Sequence, residues 1–512
     1  MKRFYFPILT ALLVLMMVAC KKNVPADLNS VPFIPYPVMV NANGISYVLD
    51  DENIIEVANY EELGAIAEYM KNQMQSFTGL NFVVREVKMA SGNNIFIGLN
   101  NESKADESYE LSISKAGITL VAQQASGVFY GVQTILQGVE FKKSEGVWIM
   151  PGGEISDYAK YGYRGVMLDV ARHFFSVDDV KHLIDLMSAY KLNHLHLHLS
   201  DDQGWRIEIK SWPKLTEIGG STAVNGDEGG YYTQEDYKEL IQYANERFIT
   251  IIPEIDMPGH TNAALASYAE LNCDGKAREL YEGIEVGFST LCTRSEITYQ
   301  FVDDVIRELS DLTEGPYIHI GGDESHVTEL DDYIYFMNRV REITKKYGKV
   351  MIGWDEVAHA DIDSNDIVQF WAKEENATMA VSKGAKVLMS PSKRTYLDMQ
   401  YDSTTNLGLH WAAYIELDSA YIWKPEELVK GVGKEQIVGI ESPLWTETIT
   451  NSADMQFMMF PRLVGHAEIG WSQDKYLNWE EYKVRLAKHS AYLDRLGINY
   501  YKSPKVVWPV KE

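Results

Sequence analysis

Hydrophobic and polar positions change their pattern along the chain near residue 160. Before it, the alternation typical of β-strands occurs in residues 44–50, 94–99, 109–122 and 146–153. Helical periodicity occurs in residues 60–76 and 125–137. Strands with a couple of helices predict a small α+β domain, which we assign to residues 32–157. No cluster of reactive side chains stands out there, so we expect it to be non-catalytic.

After residue 158, short apolar segments alternate with helical ones. The apolar segments are residues 164–170, 193–200, 248–256, 316–324, 349–356, 366–371, 385–392 and 436–447. Helical periodicity lies near residues 177–190, 234–246, 295–312, 330–346 and 453–469. About eight βα repeats over roughly 330 residues predict a closed (β/α)8 TIM barrel over residues 158–512. A doubly wound open sheet is less favoured, because no GxGxxG turn follows any of these segments.

The first twenty residues have the pattern of a targeting segment. Lys2 and Arg3 precede an apolar run over residues 4–18, which is too short for a spanning helix. Residues 17–20, MVAC, resemble the lipobox of bacterial lipoproteins, in which the signal is cut before the cysteine and Cys20 carries lipid. Met17 replaces the usual leucine, so ordinary secretion is the alternative. We expect export as a lipid-anchored periplasmic or outer-membrane protein, with residues 21–31 as a linker.

Charge and cysteine usage narrow the class of partner. The formal net charge is −26, and such a surface repels nucleic acid and anionic membranes. We therefore expect no nucleic-acid partner, and membrane contact only through the lipid anchor. Beyond Cys20, only Cys273 and Cys292 remain, and an even pair in an exported chain predicts a disulfide. Two buried free thiols are the alternative.

Three alternating histidines, His194, His196 and His198, precede a pair of aspartates in the segment NHLHLHLSDD. Alternation of period two places all three imidazoles on one face of a strand. Imidazole and carboxylate are zinc ligands, so a metallohydrolase is one hypothesis. Hydrogen-bonded core residues of a barrel strand are the other.

The carboxyl ends of the predicted strands are rich in carboxylates and tryptophans. Chemistry in such barrels takes place at these ends. Tryptophan stacks on sugar rings while carboxylate and arginine bind hydroxyls, so the pattern favours a saccharide pocket. The alternative is the general polarity of strand ends. The residues are Asp169, Arg172, His173, Asp201, Asp202, Gln203, Trp205, Glu254, Asp256, His260, Asp323, Glu324, Trp354, Asp355, Glu356, Trp371, Tyr396, Asp398, Trp445 and Glu447.

The most informative stretch is IHIGGDE, residues 318–324. Gly321 and Gly322 permit a sharp turn at a strand end. Asp323 and Glu324 are adjacent carboxyls, and burial of both would raise the pKa of one and favour a general acid.

Several motifs in order resemble the family 20 glycoside hydrolases, the β-N-acetylhexosaminidases. They are RGVMLDVARHFF (164–175), HLSDDQGWR (198–206), PEIDMPGH (253–260), HIGGDE (319–324) and PLWTE (443–447). GVFYGVQTILQ, residues 127–137, and the region before it resemble the non-catalytic N-terminal domain of that family. The resemblance therefore covers nearly the whole mature chain.

The resemblance implies exo-hydrolysis of non-reducing-terminal β-linked GlcNAc or GalNAc by substrate-assisted, retaining catalysis. Glu324 would be the general acid and base, Asp323 would orient the 2-acetamido group, and Tyr396 would donate to its carbonyl. The acetamido oxygen would attack C1 and give an oxazolinium-type intermediate. No cofactor and no metal are implied, and the substrate is an oligosaccharide or glycoconjugate.

The remaining pocket residues follow from the same resemblance. Asp201 and His260 would form a pair behind the acid. The substrate contacts would come from Arg164 and Glu447 at the 3- and 4-hydroxyls, Asp398 near the 6-hydroxyl, and the walls Trp354, Trp371 and Trp445. Asp169, Arg172 and Asp202 have the alternative of a buried ion-pair network.

Other functions remain open at this stage. A disaccharide-releasing, lacto-N-biosidase-like enzyme of the same family would share the motifs. A chitinase-like barrel would need a DxxDxDxE pattern, which the fourth strand lacks. A lipid-anchored glycan-binding protein would keep the aromatic residues but lose the acid, whereas Asp323 and Glu324 are both present.

Overall fold

The computed structural model describes residues 24–51, 53–100 and 107–510. The predicted signal peptide and Cys20 lie outside the described residues. In the part of the chain that is described, no helix has the length and apolar character needed to cross a membrane.

The first domain is a mixed sheet with two helices. Its strands, in the order β1-β8-β5-β6-β4-β2-β3 with β7 on β8, include both parallel and antiparallel pairs. Helices α1 and α2 contact each other and pack on the sheet. The elements are β1 Met39–Leu49, β2 Asn53–Val57, α1 Tyr60–Thr78, β3 Phe82–Glu86, β4 Ile95–Leu99, β5 Tyr109–Ile113, β6 Ile118–Ala122, α2 Ala125–Gly138, β7 Glu140–Lys142 and β8 Val147–Asp157.

The expected linker over residues 21–31 is packed where it is described. Val24, Leu28 and Val31 are buried against the first domain, and Leu28–Ser30 form a short 3-10 turn. Their apolar side chains cover the sheet, and this burial favours a fixed path. The prediction of a linker is therefore wrong for residues 24–31.

The second domain is a closed barrel of parallel strands, which confirms the predicted fold class. The last strand pairs with the first, so the sheet has no free edge. The strands are β9 Tyr163–Asp169, β10 His194–His198, β11 Thr250–Glu254, β12 Tyr317–His319, β13 Val350–Trp354, β14 Ile367–Phe370, β15 Lys386–Met389 and β16 Ile437–Leu444.

Helices surround the barrel, and several begin with a side-chain cap. Ser176 and Asp179 form a capping box at the start of α3, as Thr233 and Asp236 do at α5. The helices are α3 Val177–Ala189, α4 Lys214–Glu217, α5 Gln234–Asn245, α6 Asn262–Ser267, α7 Glu296–Leu312, α8 Leu330–Lys346, α9 Glu374–Ser382, α10 Ser392–Thr395, α11 Leu417–Tyr421, α12 Pro425–Leu428, α13 Ser452–Met459, α14 Arg462–Trp471 and α15 Trp479–Arg495.

The single helix expected over residues 453–469 is two helices. Pro461 lies between α13 and α14, and proline removes a backbone donor and clashes with the preceding turn. The break brings Trp471, at the end of α14, against Tyr130 of α2. This contact joins the barrel to the first domain.

Candidate active site

A glycine turn carries the two adjacent carboxyls out of strand β12. Gly321 and Gly322 have φ values of 64° and 106°, which are left-handed conformations that favour glycine. A Cβ on Gly321 would lie 1.8 Å from Oδ1 of Asp256, so no other residue fits. Oδ1 of Asp256 also accepts the Gly322 N–H at 2.9 Å. Asp256 therefore fixes the turn that presents Asp323 and Glu324.

Two non-glycine residues of the site also have a left-handed backbone, His260 with φ 54° and Glu324 with φ 44°. Such conformations cost free energy in L-residues, and they cluster at functional sites. They turn both side chains toward the same space, with Nε2 of His260 at 3.8 Å from Oε2 of Glu324.

A pocket of about 290 Å³ opens at the carboxyl end of the barrel strands. Ligand pockets are usually about 300–1,000 Å³, so this one suits a small group such as one sugar ring. The residues that line it are Arg172, Ile284, Val286, Asp323, Glu324, Trp371, Tyr396, Leu409, Trp411, Trp445 and Glu447.

The neighbouring carboxyls differ in their exposure. The side chain of Asp323 is 10 % exposed and that of Glu324 is 30 % exposed. Burial, and secondly the carboxyl of Asp256, hold the pKa of Asp323 well above its usual range. His260, whose Nε2 lies 3.8 Å from Oδ2 of Asp323, opposes this rise, while Oδ1 of Asp323 has no hydrogen-bond partner within the described residues.

His260 and Asp201 form the expected pair behind the carboxyls. Nδ1 of His260 lies 3.1 Å from Oδ1 of Asp201, and both residues are buried. Burial alone would lower the pKa of His260, but Asp201 and Asp323 raise it to about 10. Burial likewise opposes ionisation of Asp201, yet Arg172 and His260 hold its pKa far below the usual range.

Aromatic side chains form the pocket wall. Tyr396 is stacked with Trp371 at a centroid distance of 6.4 Å and lies equally far from Trp445. Burial and the charge of Asp323 keep the pKa of the Tyr396 phenol well above its usual value, so the hydroxyl is a hydrogen-bond donor. Trp354 is fully buried and lies behind Trp445, at 5.7 Å. It supports the wall and does not line the open pocket.

Arg172 and Glu447 supply the polar end of the pocket. Nη2 of Arg172 lies 2.8 Å from Oδ2 of Asp201, and its guanidinium is 4.8 Å from the ring centre of Trp445. Burial raises the pKa of Glu447, while Arg172 opposes the effect. Asp398 is buried behind Glu447, and burial together with Glu447 raises its pKa well above the usual range.

Comparison with known proteins identifies the family of this arrangement. The catalytic domain of "Glycosyl hydrolase family 20" matches residues 161–474, more than half of the chain, and "Glycosyl hydrolase family 20, domain 2" matches residues 31–158. The chain belongs to glycoside hydrolase family 20. It is therefore a glycoside hydrolase by family.

Individual relatives agree along most of their length. A β-N-acetylhexosaminidase of Cellulomonas fimi is 38% identical over 484 residues, covering 94% of this chain and 97% of its own. The family 20 β-N-acetylhexosaminidase structure from Streptomyces coelicolor is 44% identical, with a TM-score of 0.91 and coverage of 95% and 100%. A mutant Streptomyces plicatus β-hexosaminidase in complex with product (GlcNAc) is 44% identical, with a TM-score of 0.90 and coverage of 95% and 99%.

The expected substrate arginine of this family 20 chain lies elsewhere. Arg164 is fully buried near the start of β9, where it pairs with Glu107 at 2.8 Å and donates to the carbonyl of Lys191. The pocket opens beyond Asp169, five residues later, and a strand advances about 3.3 Å per residue. The assignment of Arg164 to substrate binding is therefore wrong, and Arg172 lies in the pocket instead.

Two other family 20 pocket features were not predicted. Trp411 lies at the rim, and its side chain is 56 % exposed. Ile284 and Val286 also line the pocket, from a loop closed by the Cys273–Cys292 disulfide. Arg172, by contrast, was among the strand-end residues predicted for the saccharide pocket, because it follows β9. The loop residues carried no such signal, because they follow no predicted strand.

The alternating histidines lie inside the barrel, on β10. His196 and His198 are fully buried and face carboxylates, whereas His194 stacks on Tyr163 with ring centres 3.9 Å apart. One potential metal-ligand atom from each of His196, Glu254 and His319 also lies within 4.8 Å of the other two. The expected absence of a metal stays a prediction.

Proposed function

We propose that the chain is an exo-β-N-acetylhexosaminidase that removes terminal β-linked GlcNAc or GalNAc from oligosaccharides. The observation that carries this proposal is the pocket in which Asp323, Glu324 and Tyr396 converge under an aromatic wall. The family 20 relatives described above bear the same activity in their names.

Glu324 is the residue placed to transfer protons. It is the more exposed carboxyl of the pair, and it lines the open pocket where a glycosidic oxygen would lie. A positioned carboxyl can protonate the leaving oxygen and then deprotonate the attacking water. His260, at 3.8 Å, supplies a positive charge that compensates the carboxylate formed after the first transfer.

Asp323 and Tyr396 are placed to hold a 2-acetamido group. Oδ1 of the buried Asp323 carboxyl has no hydrogen-bond partner within the described residues, and an acetamido N–H would provide one and favour the ionised form. The Tyr396 hydroxyl then donates to the acetamido carbonyl oxygen. Alignment of that oxygen with C1 makes the attack intramolecular, which replaces an enzyme nucleophile.

The pocket end favours removal of one terminal sugar. Arg172 and Glu447 line the same pocket of about 290 Å³ as the catalytic pair, and Glu447 is only partly exposed. An arginine beside a carboxylate can bind neighbouring hydroxyls of a non-reducing end. A disaccharide-releasing enzyme would need a longer space beyond this end, and a binding protein would not need Glu324. Neither alternative is favoured by the named relatives.

The test is release of p-nitrophenol from its β-GlcNAc glycoside. We expect Glu324→Gln to lower kcat by about 1,000-fold, since general acid–base catalysis contributes about 10²–10⁴. Glu329→Gln is the matched control, because Glu329 is exposed and outside the pocket. A wild type inactive on all N-acetylhexosaminides, or an undiminished Glu324 variant, would refute the proposal. A thiazoline mimic of the oxazolinium should inhibit the wild type strongly.

We also propose that the protein is exported and anchored by lipid on Cys20. The lipobox-like residues 17–20 support this proposal, and a disulfide is typical of oxidising compartments. Expression of wild type and Cys20→Ser in a bacterium tests it by fractionation. Recovery of the wild type in the soluble fraction, with no difference between the two, would contradict lipid anchoring.

A further inference from the structure

A row of alternating acidic and basic side chains runs through the barrel interior toward the pocket. We call it the buried ion chain, and its members in order are Glu441, His196, Glu254, His198 and Asp201. All five are at most 1 % exposed. None of them lines the pocket, so none is placed to touch substrate.

Successive contacts in the chain are short. Nδ1 of His196 is 2.9 Å from Oε1 of Glu441, and its Nε2 is 3.0 Å from Oε2 of Glu254. Nδ1 of His198 is 2.5 Å from Oε2 of Glu254, and its Nε2 is 2.7 Å from Oδ2 of Asp201. Both ring nitrogens of His198 form hydrogen bonds to carboxylates, whereas only Nδ1 of His196 does so, because the close contact of its Nε2 with Glu254 lacks hydrogen-bond geometry.

This geometry determines the protonation of the two rings. A neutral imidazole has one donor and one acceptor nitrogen, and its acceptor would face a carboxylate oxygen across a buried contact. Only the doubly protonated form of His198 satisfies both of its hydrogen bonds. For His196, the carboxylates at 2.9 Å and 3.0 Å on either side of the ring favour the same form by their charge. Burial lowers the pKa of both imidazoles, but the neighbouring carboxylates outweigh it. Glu441 and Glu254 raise the pKa of His196 to about 9, and Glu254 and Asp201 raise the pKa of His198 well above its usual value.

The chain ends at the catalytic machinery. One carboxylate oxygen of Asp201 contacts His198 and Arg172, and the other contacts His260. Nε2 of His260 then lies 3.8 Å from both Asp323 and Glu324. The protonation of His260 thus depends on the carboxylate of Asp201, and the charge of that carboxylate is in turn balanced by His198 in the barrel interior.

Other ionisable side chains face the chain and His260 from the surrounding strands and loops. They are Tyr163 and His194 near Glu441, His319 and Asp256 near Glu254, Arg172 with its partner Asp169 near Asp201, and Asp202, Asp323 and Glu324 near His260.

We propose that His196, Glu254 and Glu441 are positioning residues of the proposed hydrolase, which act through His198 and Asp201 to fix the charge of His260 and so the pH range of proton transfer at Glu324. The proposal rests on the proposed function. It concerns only residues remote from the substrate. If the buried ion chain has no effect on the pH profile, the wild-type activity and the result expected for Glu324→Gln are unchanged. The two proposals can therefore fail separately.

The variant that tests the chain is His196→Gln. Glu254 keeps His198 and Trp354 as partners, and Glu441 keeps Gln369 and Tyr163. Both carboxylates therefore stay ionised, and the interior gains one negative charge. That charge favours proton retention at the active site. We expect the basic limb of the kcat/KM profile to move by about half a pH unit to higher pH.

The same variant should separate kcat from KM. On the basic limb, the shift should raise kcat at a fixed pH by about threefold, and KM should stay within about twofold, because the chain acts on proton transfer and not on sugar contacts. His194→Gln is the matched control. It lies on the same strand face, but it stacks on Tyr163 and its Nδ1 contacts the amide of Asn193. Its pH profile should match the wild type.

A second measurement covers the case in which His196→Gln does not fold. Nitrogen NMR of wild-type protein labelled at histidine should show three rings still doubly protonated at pH 8, those of His196, His198 and His260. A metal assay of the same purified protein accompanies it. An unmoved pH profile, an equal shift in His194→Gln, neutral rings at pH 8, or one equivalent of bound transition metal would each overturn the proposal.

Discussion

The two ends of the barrel each bury an arginine beside strand β9, and the two arginines have different surroundings. Arg164, near the amino end, donates to Glu107 and to the carbonyls of Tyr161 and Lys191. Arg172, beyond the carboxyl end, pairs with Asp201, while its buried Nε has no hydrogen-bond partner within the described residues. A saturated arginine can only stabilise the fold, whereas an unsaturated one beside a pocket can also bind a ligand.

The surroundings of the two arginines also differ in what they connect. The Arg164 guanidinium lies 4.9 Å from the ring centre of Trp471 and 5.6 Å from that of Tyr130 in the first domain. It therefore joins the barrel to the first domain. Arg172 instead joins Asp201, which belongs to the proton-transfer machinery, to the pocket wall at Trp445. Arg164 therefore contributes to the stability of the fold, and Arg172, at the other end of the same strand, contributes to activity.

Within this comparison, the largest effect is expected for Arg172→Met. Truncation of one partner of a buried charge pair costs about 3 kcal/mol, so we expect kcat/KM to fall about 100-fold. Wild type should gain thermal stability when N-acetylglucosamine is added, and this variant should lose that gain. A variant that keeps both the activity and the ligand-induced shift would show that Arg172 is structural only.

For Arg164→Met we expect a smaller effect on kcat/KM and a loss of stability. Loss of this guanidinium leaves two buried carbonyls without their donor and Glu107 without its cationic partner, so we expect the free energy of unfolding to fall by about 3 kcal/mol. Chemical denaturation measures it. At a temperature where the variant is folded, kcat/KM should stay within about twofold of wild type. A loss of activity comparable to that of Arg172→Met would contradict the position assigned to Arg164.

The smallest effect concerns the rim of the pocket. Trp411 is 56 % exposed and forms edge contacts with Trp371 and Tyr396. Trp411→Ala should lower kcat/KM on chitobiose about fivefold, which corresponds to about 1 kcal/mol of stacking. Trp411→Phe, which keeps a ring, is the control. An equal loss on a methyl glycoside would show that Trp411 acts on the terminal sugar and not on the leaving group.

The barrel was predictable because its strands are apolar and regularly spaced. Closure, parallel pairing and the position of the GGDE turn all follow from that pattern and were predicted. Strands β2, β3 and β7 of the first domain were missed. β3 lies at the sheet edge and ends in the polar pair Arg85 and Glu86, and β7 has only three residues, so neither has a clear alternation. β2 has the adjacent apolar pair Ile54 and Ile55 in place of an alternation.

The candidate site was predictable where a residue follows a strand directly. Asp323, Glu324 and Glu447 are of this kind, and all three line the pocket. Arg164 was misplaced because the motif RGVMLDVARHFF contains two arginines, one near the start of β9 and one beyond its end, and only the second lies at the pocket. The buried ion chain could not be predicted, since the pairing of His196 with Glu441 joins residues 245 positions apart.

The Cys273–Cys292 disulfide has a consequence for how substrate range can change. It holds the two ends of a loop with Cα atoms 4.8 Å apart, and within that loop Ile284 and Val286 reach the pocket. Because the ends are fixed covalently, the segment around Ile284 and Val286 can vary, provided that Ser289 keeps its hydrogen bond to Asp202 and Gly287 its close approach to the Glu324 carbonyl. This part of the loop can therefore be replaced as a unit. Grafting the corresponding segments of relatives onto this barrel offers a route to new glycan preferences with the catalytic residues retained.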